Sequence, residues 1–315
     1  MMYEDVCLKN RSGWNRFMGV VLWVLCGGFS SAQVPMEEIR RIIEDKHASV
    51  GVAVLVGEQE FVLNDDIRYP LMSVFKFHVA LAALDKMAEE HIALDDLVFI
   101  EAGSMRENTY SPLRQKYPAG RIRMAYRDMI EYTLAHSDNN TCDWLIDFVG
   151  GIGEVERYVR SLGIGDFGLT QTENSMHEDI SACYDNWSTP LSTARLLKKT
   201  YETGVLPDWC FSFLEQVMRS ATTGMDKFRA GLPAHAILGH KTGSSDRTAA
   251  GLKIGDNDAG VIWLPDGRKC YLVVFVKDSA ETDAVNAKIM ADISRLVYES
   301  LAGNSDPCGN QVFPD

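Results

Sequence analysis

The seven cysteines of this sequence include no Cys-x-x-Cys pair, which argues against a structural metal site. Basic residues are also scarce. Lys and Arg total 31 against 44 Asp and Glu, a net charge of −13. That balance disfavours nucleic acid and anionic membrane surfaces as partners. No apolar run is long enough for a comfortable transmembrane helix; residues 17–29 form a short stretch broken by glycine. Internal repeats and low-complexity tracts are missing too. The remaining composition, 46% hydrophobic and 24% charged over 315 residues, suits a globular chain of one large or two small domains.

The first 32 residues read as a secretory leader. Lys9, Arg11 and Arg16 form a basic start, residues 17–29 the apolar stretch, and Ser30-Ser31-Ala32 the small residues before a cut that leaves Gln33 first. The stretch before the basic residues is long for a leader, which leaves open a start downstream of Met1. Lipidation at Cys26 is the rival reading, and Val24 and Leu25 before it fit poorly. Cleavage removes Cys7 and Cys26 and leaves Cys142, Cys183, Cys210, Cys270 and Cys308. An odd count leaves at least one free thiol; buried, inert thiols are expected, with any disulfide pairing open.

Residues 36–45 have a helical pattern with Ile39, Ile42 and Ile43 on one side. Residues 49–56 and 59–63 flank Gly57 as a β-hairpin. Helices then dominate: 77–87, one from Tyr126 to near Ser137, 141–148, 155–162, 189–201 opened by Thr189-Pro190, and 206–219. Strands return at 236–244, 259–264 and 271–276, with Pro265-Asp266-Gly267-Arg268 as a turn, before a final helix over 282–301. The order strands, helices, strands, helix predicts an α+β fold, an antiparallel sheet flanked by helices with an all-helical segment inserted. The expected division is 1–32 signal peptide and 33–315 a single catalytic unit. Its α/β part covers about 33–72 and 220–303, its helical part about 73–219. The active site belongs in the cleft between the two parts.

Three short motifs carry the chemistry. Ser73-Val74-Phe75-Lys76 puts a hydroxyl and an amine one helical turn apart. A serine needs a base within hydrogen-bond reach to act as a nucleophile, and a lysine among Met72, Phe75 and Phe77 is desolvated toward that role. Such a Ser-x-x-Lys occurs roughly once by chance in a chain this long. Ser137-Asp138-Asn139 and Lys241-Thr242-Gly243 each occur by chance roughly 0.1 times or less, so the ordered trio is hard to ascribe to coincidence.

From about Val34 to Leu301 the sequence resembles a class A serine β-lactamase on these motifs, in detail the CfxA- and PER-type cephalosporinase branch. The resemblance implies Ser73 as nucleophile, Lys76 as its partner, and Ser137 as a proton relay to the leaving nitrogen. It implies Asn139 on the substrate's acylamido group and Asp138 as organiser of its own loop. Lys241 and Thr242 would face the substrate carboxylate, with Gly243 allowing close approach to the backbone. The N–H groups of Ser73 and Ser244 would form the oxyanion hole, and Tyr110 would wall the cleft. Glu173, on a loop, matches the carboxylate that activates the deacylating water; whether it or Lys76 also serves as base in acylation stays open.

Several positions depart from the usual pattern. His177 stands four residues after the glutamate in place of asparagine and is expected to position the water. Gln171 and Asn186 replace an arginine–aspartate pair, so the loop should be held differently and be roomier. Ala250 occupies the usual site of the carboxylate-binding arginine, and Lys227, with Arg229 nearby, is the substitute. Lysine offers a point charge and no bidentate fork. The implied protein is a periplasmic, monomeric hydrolase of small-molecule β-lactams. No cofactor, metal, nucleic-acid partner or stable membrane span is expected. A penicillin-binding D,D-peptidase would share the motifs without the glutamate. A non-hydrolytic β-lactam sensor would hold the acyl-enzyme.

Overall fold

The computed structural model describes residues 34–303; the leader, Cys26 and Cys308 lie outside them. The elements in chain order are α1 (Met36–Ile43), β1 (Ser49–Val56), β2 (Gln59–Leu63), β3 (Tyr69–Pro70), a 3₁₀ turn (Met72–Phe75), α2 (Lys76–Glu89) and β4 (Leu97–Ile100). Next come α3 (Pro112–Lys116), β5 (Ile122–Ala125), α4 (Tyr126–Leu134), α5 (Asn139–Val149), α6 (Ile152–Ser161), β6 (Phe167–Gly168) and α7 (Glu173–Glu178). A 3₁₀ turn (Ile180–Asp185), β7 (Trp187–Ser188), α8 (Pro190–Glu202), α9 (Asp208–Arg219) and α10 (Phe228–Gly231) lead to β8 (Ile237–Ser244), β9 (Lys253–Trp263), β10 (Lys269–Ser279) and α11 (Asp283–Ala302).

The antiparallel main sheet runs β2-β1-β10-β9-β8, and both its faces are covered. Side chains alternate across a strand, so Val50, Val52, Val54 and Val56 of β1 pack toward α1 and α11. Ala53 and Leu55 pack toward the helical part. Among the described residues no helix is long and apolar enough to cross a membrane.

Helix α2 is the axis of the helical part. Its residues 76–84 are buried without a break, a helix enclosed on all sides by α4, α5, α6 and α9, where the sequence pattern predicts a single buried face. Two small sheets went unpredicted, β4-β5 and β3-β7-β6. The second joins the residues before the Ser73 turn to the segment after Glu173, through Tyr69↔Ser188 and Pro70↔Trp187. Strand β9 begins at Lys253, six residues before the predicted start at 259.

Candidate active site

Ser73 stands in the 3₁₀ turn that feeds α2, directly after Met72, whose φ of +47° is left-handed. A non-glycine residue there is strained and is held by its surroundings. In a 3₁₀ turn residues three apart eclipse, which stacks Lys76 on Ser73 with Nζ 3.1 Å from Oγ. The ammonium group of Lys76 is a hub. It meets Asn139 Oδ1 at 2.6 Å, Ser137 O at 2.7 Å, Glu173 Oε1 at 2.9 Å and Ser137 Oγ at 3.4 Å. A lysine has only three N–H donors, so these oxygens and Ser73 Oγ share them. Ser73 Oγ also donates to Glu173 Oε1, at 3.4 Å.

Glu173 is the first residue of a helix, not part of an irregular loop. Thr172 caps α7 by accepting from Ser175 N, and Ser175 Oγ accepts from Thr172 N, a closed capping box. A carboxylate in the first turn also suits the helix dipole. Asp143 of α5, absent from the sequence prediction, accepts from Glu173 N at 2.8 Å and Asn174 N at 2.9 Å. It lies four residues after Asn139, on the same helix face, and that spacing was the available signal.

Burial, reinforced by the Glu173 charge, raises the Asp143 pKa from 3.8 to about 6, against the pull of its N–H partners and Lys76. The folded state therefore holds this proton at pH values where the unfolded chain has released it. The group's contribution to stability falls as pH rises from about 4 to about 6, and the penalty is complete above that. Asp143→Asn should flatten this component: the wild-type melting temperature should drop more over that window than the variant's. Asp143→Ala strips both N–H groups of their acceptor and should lower kcat by about 10–100-fold, measured by steady-state hydrolysis, as Glu173 loses its anchor.

The segment carrying Glu173 is fastened by Asn186 in place of an ion pair. Fully buried Asn186 accepts from Thr170 N (2.8 Å) and Gln171 N (2.9 Å) through Oδ1, and donates to Gln171 O at 2.9 Å. Its carbonyl accepts from Leu71 N, two residues before Ser73.

Ser137 follows α4 in a left-handed conformation, φ +58°, and its hydroxyl accepts from Lys241 Nζ at 2.9 Å. Asp138 is fully buried and accepts from Ser111 Oγ, Leu113 N and Thr141 N. It thereby caps α5 and ties down the loop behind Tyr110. Asn139 donates to Thr109 Oγ1. On β8, burial first and the neighbouring Lys76 charge second push the Lys241 pKa well below its ordinary value. Thr242 Oγ1 lies 2.7 Å from Thr223 Oγ1, a second hydroxyl not predicted from sequence.

Gly243 also serves the packing of the sheet. A Cβ there would stand 2.7 Å from Leu71 O and 2.8 Å from Ser73 N, so glycine lets β8 press against the Ser73 turn itself. Tyr110 and His177 are exposed on the cleft walls. The cleft has a volume of about 800 Å³ and is also lined by Ser73, Ser137, Asn139, Glu173, Thr242 and Ser244. Cys183 lines it as well, its thiol pushed up to about 11 by burial. The four described cysteines are all buried and free.

Lys227 reaches the cleft already paired. Its ammonium group sits 2.6 Å from Asp256 Oδ1, which also accepts from Ser244 Oγ at 2.6 Å. The Arg229 guanidinium is spent on the carbonyls of Ala236, Leu232 and Pro233. Lys227→Ala would leave Asp256, only 2% exposed, without its countercharge. The expected cost is about 3–5 kcal/mol in urea unfolding, and an unchanged KM in the folded variant would show that Lys227 takes no part in holding the substrate carboxylate.

A fold with a five-stranded antiparallel main sheet, a helical insertion and a serine–lysine–carboxylate cluster between them defines a hydrolase of the serine β-lactamase type. The sequence profile of the Beta-lactamase enzyme family matches residues 34–301. A β-lactamase of Bacteroides uniformis is 47% identical, over 84% of this chain and 90% of that protein. The extended-spectrum β-lactamase PER-1 of Pseudomonas aeruginosa is 34% identical, over 86% and 89%. A crystal structure of a class A β-lactamase from Bacteroides cellulosilyticus superposes with a TM-score of 0.83 at 49% identity, covering 85% of this chain and 96% of that one. The chain belongs to the class A serine β-lactamases, and its activity is β-lactam hydrolysis, the basis of resistance.

Proposed function

We propose that this enzyme hydrolyses cephalosporins through an acyl-enzyme on Ser73 that Glu173 clears with an activated water. The observation that carries this reading is the Glu173 carboxylate, 3.4 Å from Ser73 Oγ and 2.9 Å from Lys76 Nζ. One carboxylate thus reaches both the nucleophile and its lysine. In acylation Ser73 Oγ attacks the lactam carbonyl and its proton passes to the Lys76/Glu173 pair. Ser73 N and Ser244 N hold the oxyanion. The Lys241–Ser137 contact at 2.9 Å delivers a proton to the departing nitrogen. In deacylation Glu173 takes a proton from water, with His177, one turn along α7, helping to place that water.

The substrate carboxylate meets Lys241, Thr242 and Thr223. An anion beside Lys241 favours its charged form and so opposes the burial that disfavours it. Lys227 plays a minor part in this reading because Asp256 already pairs with it. The preference for cephalosporins rests on the cleft volume of about 800 Å³, beside a Glu173 segment that Asn186 holds by neutral hydrogen bonds in place of an ion pair. The name of the P. aeruginosa relative, an extended-spectrum enzyme, agrees with it. The enzyme is proposed to work as a periplasmic monomer after cleavage behind Ala32, which N-terminal sequencing and sedimentation would test.

Mass spectrometry of the protein mixed with a cephalosporin and sampled over time decides the mechanism. The expected record is an adduct that forms and clears as substrate disappears. A lasting adduct would favour the sensor, and no adduct even in Glu173→Gln, where clearance is blocked, would remove Ser73 as nucleophile.

A further inference from the structure

A second cavity, of about 310 Å³, shares no lining residue with the catalytic cleft. One face of α5 forms its wall through Asn140, Asp143, Trp144 and Asp147, residues spaced three and four apart. Thr172 and Asn174 close it from the start of α7. Met105, Met129 and Leu113 give it an apolar floor, while Arg106 stands at the exposed rim, 4.0 Å from Glu178. Trp144 is held in place by packing on Tyr126 and Phe148. The volume is at the small end of the range for ligand pockets and suits one or two fused rings.

Two carboxylates four residues apart, beside an aromatic wall and an apolar floor, match a compact aromatic group carrying an ammonium. The ring would take the floor and the Trp144 side, and the cation would sit between Asp143 and Asp147. We propose that this cavity binds small arylalkyl-ammonium compounds and that occupancy slows the step served by Glu173. The coupling has a physical route. Asp143 lines the cavity and is also the acceptor for Glu173 N and Asn174 N. A cation drawn to Asp143 competes with those two N–H groups for the same oxygens and loosens the first turn of α7. By linkage, an acyl-enzyme that needs α7 in place binds the amine correspondingly less well. This second half rests on the proposed role of Glu173; the binding half does not.

Tryptamine is the probe. Titrated into the purified protein in a calorimeter at neutral pH, it should bind one to one with a dissociation constant of about 1 mM. In hydrolysis of a chromogenic cephalosporin, saturating tryptamine should lower kcat and KM together about 2–5-fold, because slowing only the exit from the acyl-enzyme leaves kcat/KM unchanged. Ser104→Trp, at the exposed rim, and Asp147→Asn should each weaken binding about tenfold and relieve inhibition while leaving basal turnover intact. No binding heat, or equal affinity in both variants, overturns the site. A rise in KM alone places tryptamine in the catalytic cleft and also overturns it. Binding that depends on Asp147 and leaves kcat unchanged overturns the coupling. If no cephalosporin is turned over at all, the reading of Glu173 fails, while the calorimetric comparison still decides the cavity.

Discussion

Glu173→Gln should trap the acyl-enzyme. Glutamine keeps the shape of the side chain and removes its basicity. Attack by Ser73 needs a base only briefly, and Lys76 Nζ stays 3.1 Å from Oγ in the variant's unchanged turn. Release of the product needs a water to lose its proton next to the ester, and Glu173 is the carboxylate within 3.4 Å of the ester-forming oxygen. General-base contributions of this kind are worth about 10²–10⁴-fold. The expected result is a mass-spectrometric adduct that forms within the mixing series and persists, with steady-state turnover reduced by that factor. The fold should survive. Lys76 keeps Asn139 Oδ1 at 2.6 Å and Ser137 O at 2.7 Å as acceptors, and loss of a first-turn acid from α7 costs only about 0.3–1 kcal/mol. Turnover within tenfold of wild type would mean that another group activates the water.

The parts of the molecule that could be read from the sequence are those whose cause is local. Strand β1 alternates valines with residues of the other face, and α8 opens on Thr189-Pro190, whose threonine accepts from Ser192 N. The three motifs fall where their spacing places them, around one cleft. What escaped has distant partners. Strand β9 was predicted too short because Asp256, Asn257 and Asp258 look like a polar loop. All three are buried, since Asp256 meets Lys227, Asn257 donates to the carbonyls of Pro70 and Leu71, and Asp258 accepts from Phe228 N. Helix α7 looked like a loop because its capping box ends in Ser175 and not in the usual Glu or Gln. The strands β3, β6 and β7 have two residues each, too few for any period to register. Asp143 was overlooked because a lone aspartate on a helix is ordinarily a solvated charge, and its partners lie 30 and 31 residues away in sequence.

Lys76→Met should have the complementary effect to Glu173→Gln, stopping the reaction before the adduct forms. Methionine fills the stem of the lysine but offers no donor. Asn139 Oδ1 and Ser137 O then lose their N–H partner, and the Glu173 carboxylate, with 10% side-chain exposure, loses a cation that is itself fully buried. Breaking a buried pair from one side costs about 3–5 kcal/mol, which for a domain of this size lowers the melting temperature by roughly 10 °C. The kinetic effect should be larger than the thermal one. Ser73 keeps a single base, Glu173 at 3.4 Å, and that base no longer has the ammonium to fix its oxygen near the hydroxyl. Acylation should therefore slow by about 10²–10⁴-fold, read as the rate at which the cephalosporin adduct appears after mixing, at a temperature where the variant is folded. Adduct formation at the wild-type rate would show that Glu173 alone deprotonates Ser73, and that the five oxygens around Lys76 Nζ mark a structural hub only. Together the two variants divide the cycle: one blocks entry to the acyl-enzyme, the other exit, and a protein that binds β-lactams without hydrolysing them would not distinguish Glu173→Gln from wild type.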